Sequence, residues 1–247
     1  MIVAIDAGNS RIKWGLHDGT AWAARGILAT ADVAWLSEAA EDWPLNACVV
    51  VCNVAGARVG NEIQVCLGKR HRDIHHFIAD VDCGGVINGY ENPRQLGADR
   101  WAALLGARGL TCTACLVVCA GTATTADLLA ADGRFQGGVI LPGFDLMRSA
   151  LAGNTAQLPL AEGGFCDPPR NTMDAIVTGC LHAQVGAIER MYAKIANEAE
   201  SICLLTGGAA ARLLPHLSIP ARLEENLILD GLVRYALTRC RHVPTST

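Results

Sequence analysis

Ile2-Val3-Ala4-Ile5-Asp6-Ala7-Gly8-Asn9-Ser10 is an apolar run that ends in a carboxylate and a small polar turn. The chain repeats the pattern at Leu116-Val117-Val118-Cys119-Ala120-Gly121-Thr122-Ala123-Thr124. In the two copies Gly8 corresponds to Gly121 and Asp6 to Cys119. Each copy continues as a second apolar run to a turn, Asp18-Gly19 in one and Asp132-Gly133 in the other. Strand, glycine turn, strand and hairpin used twice predict two related half-domains, 1–112 and 113–247, facing each other across a cleft. Two loops rich in backbone N–H groups and hydroxyls suit a nucleotide phosphate tail.

The 247 residues admit one large domain or two small ones, and lobes of about 110–130 residues lie within the usual domain size. Half the residues are apolar and only 18% are charged, so the core is expected to be large. A positive mean hydropathy also points to a subunit interface. The net charge of −4 argues against a general nucleic-acid binder, which shows a basic face. No basic segment precedes the first apolar run, so a signal peptide is not expected. No apolar stretch reaches the roughly 18–20 residues of a membrane span. A cytoplasmic protein is the expectation, its eleven cysteines reduced and mostly buried. Cys112-Thr-Ala-Cys115 spells C-x-x-C but leads straight into a predicted buried strand with no second such pair, and reads as structural. His71, His75 and His76 share a polar stretch with Lys69, Arg70 and Arg72, which reads as a solvated face.

Residues 2–6 and 12–17 read as a strand hairpin, with a third strand near 22–28. Residues 30–41 look helical. Cys48 to Cys52 is continuously apolar, as a strand buried on both faces requires. A helix near 57–69 and a strand near 74–79 follow. This alternation predicts an α/β fold, with helices on both faces of its sheets. Gly84 to Arg94 is loop-like, and a helix starts close to Asp99. The strand–turn–strand–hairpin unit recurs from Leu116 to Leu141. Leu146 to Leu151 looks helical, and a Gly/Pro-rich loop precedes a long helix over about 172–198. A strand over 202–206, a helix after Gly207-Gly208 and a last helix over 226–239 complete the reading.

Three constellations carry chemistry. In Asp6 to Lys13, an acidic residue at a buried strand end stands beside Gly8, Asn9 and Ser10. Phosphate oxygens need donors, and the magnesium they carry needs oxygen ligands. Glycine lets the backbone approach closely. The bland reading is a hairpin turn, but the echo at Gly121 to Thr124 favours function. No G-x-x-x-x-G-K-[ST] is present, so a Walker-type loop is not the cradle. In Gly97-Ala98-Asp99-Arg100, a carboxylate and a guanidinium sit at a helix start, which on local sequence alone reads first as a favourable helix terminus beside a surface arginine. Asp99 has the chemistry to take a proton from an attacking hydroxyl, and Arg100 to clamp a carboxylate. Asn171-Thr172 reads first as a helix cap.

Together these residues resemble the type III pantothenate kinases, of the acetate and sugar kinase, heat-shock chaperone and actin superfamily. The resemblance rests on Asp6 to Lys13, Gly89-Tyr90-Glu-Asn-Pro93, Gly97 to Arg100 and Gly121-Thr-Ala-Thr-Thr125. It continues through Gly137 to Gly143, Asn171-Thr172 with Ala175-Ile176 and Gly179, and Leu205-Thr-Gly-Gly208. It implies duplicated ribonuclease H-like, actin-like lobes and ATP-dependent phosphorylation of pantothenate, the first step of coenzyme A synthesis. Asp6, Ala7, Gly8, Asn9, Ser10, Arg11, Ile12 and Lys13 would hold ATP and magnesium, with Thr122 also on ATP. Asp99 would be the general base. Tyr90, Gly97, Ala98, Asp99 and Arg100 would bind pantothenate, with Arg100 on its carboxylate. Thr172 would reach pantothenate from the neighbouring subunit of a homodimer with shared sites.

One departure stands out. Many members of that family have aspartate where this chain has Cys119, and there it helps bind potassium or ammonium. A thiol is a poor ligand for a hard cation, so a weakened cation requirement is expected, with Asp127 as a possible substitute carboxylate. Two competing readings are a kinase for another small hydroxyl substrate and a non-catalytic regulatory protein that keeps the ATP cleft. The Tyr90 and Arg100 motifs count against the first, and the presence of both Asp6 and Asp99 against the second.

Overall fold

One strand connectivity is built twice. A computed structural model describes residues 1–68, 70–71, 74–155, 158 and 160–239; Lys69, Arg72 and Cys240 lie outside the described residues. The strands are β1 (Ile2–Ala7), β2 (Arg11–His17), β3 (Trp22–Ala29), β4 (Cys48–Asn53), β5 (Ile74–Phe77), β6 (Asp82–Cys83), β7 (Val86–Ile87), β8 (Cys115–Ala120), β9 (Ala123–Leu129), β10 (Phe135–Pro142), β11 (Ile202–Thr206) and β12 (Ala221–Leu223). The helices are α1 (Leu36–Ala39), α2 (Ala57–Leu67), α3 (Ala98–Leu110), α4 (Phe144–Asn154), α5 (Thr172–Tyr192), α6 (Ala210–Leu213) and α7 (Leu227–Arg239).

The first sheet runs β3-β2-β1-β4-β5 and the second β10-β9-β8-β11-β12. In the first, β1–β2 and β2–β3 are antiparallel, whereas β1–β4 and β4–β5 are parallel. In the second, β8–β9 is antiparallel, and β8–β11 and β11–β12 are parallel. Position for position, β8 takes the place of β1 and β9 that of β2, as the repeated motif predicts.

Packing groups the chain into two compact units. One comprises Met1–Leu110, Gly133–Phe135 and α7; the other comprises Thr111–Asp132 and Gln136–Glu225. In the first unit every residue of β1 is buried, as a central strand covered on both faces demands. Val3, Ile5 and Ala7 join Val49, Val51, Ile63 and Leu67 in a core beneath α2. Helices α3 and α7 pack together, and α7 also packs on β1 and β4. A Cβ on Gly106 would run into the Leu227 carbonyl, and one on Gly231 into that of Ala102, so the two backbones touch. The last helix therefore packs with the first unit, whereas the lobe division of the sequence reading follows chain order. In the second unit Leu116, Val118, Ala126, Leu128 and Leu205 form a core with Phe144, Ile176, Cys180 and Ile188.

Four expectations need correction. The helix expected at 30–41 is broken into 3-10 turns around the four-residue α1, with Asp32 out of helical conformation. Val33, Leu36 and Ala40 still reach the core from the broken segment. Helix α5 ends at Tyr192 rather than 198. The Tyr192 hydroxyl meets the carbonyl and hydroxyl oxygens of Ser201 at 2.9 Å, so the chain folds back there. The strand near 74–79 stops at Phe77, and the hairpin β6–β7 and edge strand β12 are too short to show a period. His76 is exposed as expected, but His71 is not on a solvated face. It is buried, 6.0 Å from the Trp43 ring, with both ring nitrogens unpartnered among the described residues, and burial pushes its pKa down.

Candidate active site

Strand register assembles the first part of the site. Asp6 lies opposite Lys13 on β2 and opposite Cys52 on β4. Directly opposed residues share a face, so these three side chains form one row on the side away from the Val3–Ile5 core. The first turn of α3 carries Asp99. The Asp6 carboxyl is raised to about pKa 7, by burial first and by the Asp99 charge second, with Lys13 opposing them. Burial, then the same two carboxylates, push the Cys52 thiol well above its usual range, so it stays neutral. Sequence reasoning missed Cys52, which reads locally as one more apolar strand residue.

The turn between β1 and β2 is held by a bond from the Gly8 N–H to the Arg11 carbonyl, 3.0 Å. Thr30 anchors it, its hydroxyl donating to the Gly8 carbonyl at 2.7 Å and its N–H to that of Ser10 at 3.1 Å. Asn9, Ser10 and Arg11 are left exposed. Ala7 and Ile12 point into the opposite core and have only backbone to offer a ligand.

The second part lies in the same unit. Asn88 staples the loop before α3. Its amide donates to the Asp80 and Pro93 carbonyls, each at 3.1 Å, and its oxygen accepts from the Tyr90 N–H at 3.1 Å. Asn92 caps the 3-10 turn Pro93–Gln95. Helix α3 begins where the Trp101 N–H reaches the Gly97 carbonyl, 3.0 Å, and the Asp99 carboxylate accepts from the Arg100 N–H at 2.8 Å. Gly97 leaves room for that carboxylate, because a Cβ there would lie 2.8 Å from it. Ala98 is the first residue of the helix. Arg100 is only 4% exposed. Its Nη1 donates to the Tyr90 hydroxyl at 2.9 Å. Its guanidinium lies 5.6 Å from the Tyr90 ring centre and 5.9 Å from that of Phe135. The two rings are 5.3 Å apart. Sequence reasoning missed Phe135 and Asn88. Phe135 stands alone after a hairpin turn and belongs to no motif.

In the second unit, three of the sequence motifs converge on the turn between β8 and β9. The Gly121 N–H donates to the Ala123 carbonyl at 3.0 Å, so this turn is one residue tighter than its counterpart. The Gly143 N–H donates to the Thr122 carbonyl at 2.9 Å, and the Ala209 N–H to that of Ala120 at 3.0 Å. A Cβ on Gly143 would strike the Gly121 and Thr122 carbonyls, and one on Gly207 the backbone of Ala120. Gly207 also has φ +102°, a conformation suited to glycine. Thr122 itself is exposed.

Cys119 is flanked in register by Thr125 and Thr206, and among the described residues the buried Thr125 hydroxyl has no partner. Asp127 pairs with Val117, on the same face as Cys119 and two residues beyond Thr125. It is buried, and Gly138 makes room for its carboxylate. Thr172 is exposed in the first turn of α5, which Asn171 caps by accepting from the Asp174 N–H at 2.9 Å. Cys112 is exposed and Cys115 buried in β8.

A carboxylate that burial and a like charge hold near pKa 7 is relieved by a hard cation. The Asp6 environment therefore fits magnesium, which binds through one or two carboxylates plus phosphate oxygens. Among the described residues no helix is long and apolar enough to cross a membrane.

A family model described as type III pantothenate kinase matches residues 2–194. A type III pantothenate kinase of Aromatoleum aromaticum is 56% identical over 235 residues, 94% of this chain and 96% of its own. That of Dechloromonas aromatica is 49% identical over 237 residues, covering 96% and 99%. Among solved structures, component A of the (R)-2-hydroxyglutaryl-CoA dehydratase of Acidaminococcus fermentans superposes with a TM-score of 0.55. It has 13% identity and 96% of each chain covered, a likeness of fold alone.

Proposed function

The chain belongs to the type III pantothenate kinase family, and from that premise we propose that it transfers the terminal phosphoryl group of ATP to the primary hydroxyl of pantothenate. The product is 4′-phosphopantothenate, on the route to coenzyme A. The observation that carries this reading is the buried Tyr90–Arg100 pair, bonded at 2.9 Å, one residue from the Asp99 carboxylate. The tyrosine oxygen accepts from arginine there, which leaves its own proton to donate. A donor hydroxyl beside a guanidinium suits a carboxylate, and pantothenate carries one at the end remote from its primary hydroxyl.

Asp99 takes the proton of the substrate hydroxyl. That oxygen forms a bond to the γ-phosphorus as the bond to the β-phosphate oxygen breaks, and ADP leaves. Phosphoryl transfer asks mainly for positioning and charge compensation. The backbone from Gly8 to Ser10, with Lys13, meets the phosphates, and Thr122 also meets ATP. Asp6 would hold magnesium, which would supply neutralisation of charge on the phosphate oxygens. Tyr90 and Gly97 to Arg100 orient pantothenate. The enzyme works in the cytoplasm as a homodimer, with Thr172 reaching the partner's pantothenate; its exposure in the first turn of α5 is compatible with that role. The thiol of Cys119 does not fit a hard monovalent cation, so potassium or ammonium is not strongly required.

A coupled ADP-release assay with magnesium-ATP and pantothenate tests this reading. Turnover is expected to depend on pantothenate and to fall by about 10²–10⁴ in Asp99→Asn, with little response to potassium. Absence of turnover from the folded wild type would overturn the pantothenate reading. A steep rise with potassium would overturn the Cys119 reading alone.

A further inference from the structure

Phe135 belongs to none of the motifs, yet it is fully buried and its ring meets both members of the Tyr90–Arg100 pair. It arrives from far along the chain, in the short segment Gly133–Phe135 that packs with the first unit. The segment is docked by the Ile87 N–H, which donates to the Gly133 carbonyl at 2.9 Å, and by a bridge between Ile87 and Arg134. Gly133 has φ +87°, and a Cβ there would strike the Gly85 carbonyl, so the turn closes onto the β6–β7 hairpin. The docking brings the Phe135 ring to 5.3 Å from Tyr90, at 37° between planes, and 5.9 Å from the guanidinium centre of Arg100.

A guanidinium that is 4% exposed has lost its water and must be compensated by what surrounds it. Two aromatic faces within about 6 Å supply part of that compensation. They also restrict the plane in which the fork of N–H donors lies. A carboxylate is held best when that fork is already oriented.

We propose that Phe135 is a positioning residue for the acidic end of the acceptor substrate, setting the orientation of the Tyr90–Arg100 pair without touching the reacting atoms. This rests on the reading of that pair as the carboxylate site. The side chain acts through Arg100, so its removal affects acceptor binding and leaves the nucleotide side unchanged.

The experiment is a double-mutant cycle on the full-length protein, using Phe135→Leu, Arg100→Lys and the pair. Steady-state constants are measured for pantothenate, for ATP, and for pantothenyl alcohol, which lacks the carboxylate. Phe135→Leu is expected to raise the KM for pantothenate about tenfold, with kcat and the KM for ATP within about twofold of wild type. Pantothenyl alcohol should show no such rise. In the Arg100→Lys background the same change should add little, because coupled residues are non-additive.

A merely structural role predicts otherwise: constants for pantothenate and the alcohol shift together, and the two mutations add. Either result would overturn the proposal, as would an unchanged KM for pantothenate. Should Phe135→Leu fail to fold, Phe135→Tyr keeps the ring and Phe135→Met keeps bulk without it. Only the methionine variant should then show the selective rise. Loss of pantothenate-dependent turnover in the wild type would instead strike the proposed function itself.

Discussion

At the residue scale the site turns on two carboxylates in one unit. Asp6 is buried in a row with Lys13 and Cys52, and its pKa lies near 7 rather than at the ordinary 3.8, first through burial and then through Asp99. The raised value means that the folded chain binds this proton more tightly than the unfolded chain. The associated stability is complete below about pH 4 and is lost as pH rises through about 7. In magnesium-free buffer, Tm should therefore fall from pH 5 to pH 8 more steeply for the wild type than for Asp6→Asn. The variant should be at least as stable as the wild type at pH 8. Thermal denaturation across that range checks it, and parallel curves for the two proteins would refute it. Asp6, Asp99, Tyr90 and Arg100 stood out in the sequence as candidates because each sits in a short motif that contains a glycine. Cys52, Asn88 and Phe135 did not. Their roles arise from strand register and from a docked hairpin turn, neither of which leaves a local mark.

At the scale of elements, the turns do more than the strands. The β8–β9 turn is hemmed in by Gly143 and Gly207, each packed so closely that a methyl group would meet a backbone carbonyl. Gly143 has an ordinary φ of −68°, so the obstacle at this position is steric rather than conformational. Gly143→Ala should push the Gly121-Thr122 turn aside. The expected cost is about 1–3 kcal/mol of stability, together with a larger rise in the KM for ATP than for pantothenate. Denaturant unfolding and steady-state kinetics measure the two effects, and an unaltered KM for ATP would remove this turn from the nucleotide site. The sequence reading was strongest where an apolar run was continuous, as in β1, β4 and β8. It was weakest where a periodic pattern outlived its element: apolar spacing continues to Ile195, but α5 stops at Tyr192. The segment 30–42 has helical composition, yet it is broken into 3-10 turns around α1, with Asp32 out of helical conformation.

At the scale of the whole molecule, the duplicated sheets are joined in sequence order, but packing does not follow that order. Helix α7 comes last and packs on α3, β1 and β4 near the beginning of the chain. Gly106 and Gly231 let its backbone touch that of α3. Gly231→Val should force the helices apart, at about 3 kcal/mol or roughly 6–12 °C in Tm at this size. Gly179→Ala in α5, where none of the described residues lies within 4 Å of the added carbon, is the control. It should be neutral or slightly stabilising, since glycine is costly inside a helix. Calorimetry distinguishes the two, and equal Tm values would refute the close α3–α7 contact. By itself the sequence determined the repeated α/β architecture, because strand hydrophobicity and glycine turns are local properties written twice in one chain. It also determined the family, because the motifs that carry the resemblance are short and contiguous. Only the tertiary structure decided that Cys52 stands beside Asp6, that Phe135 braces Arg100 and that α7 completes the first unit. Those contacts join residues far apart in the chain, and burial rather than local propensity selects them.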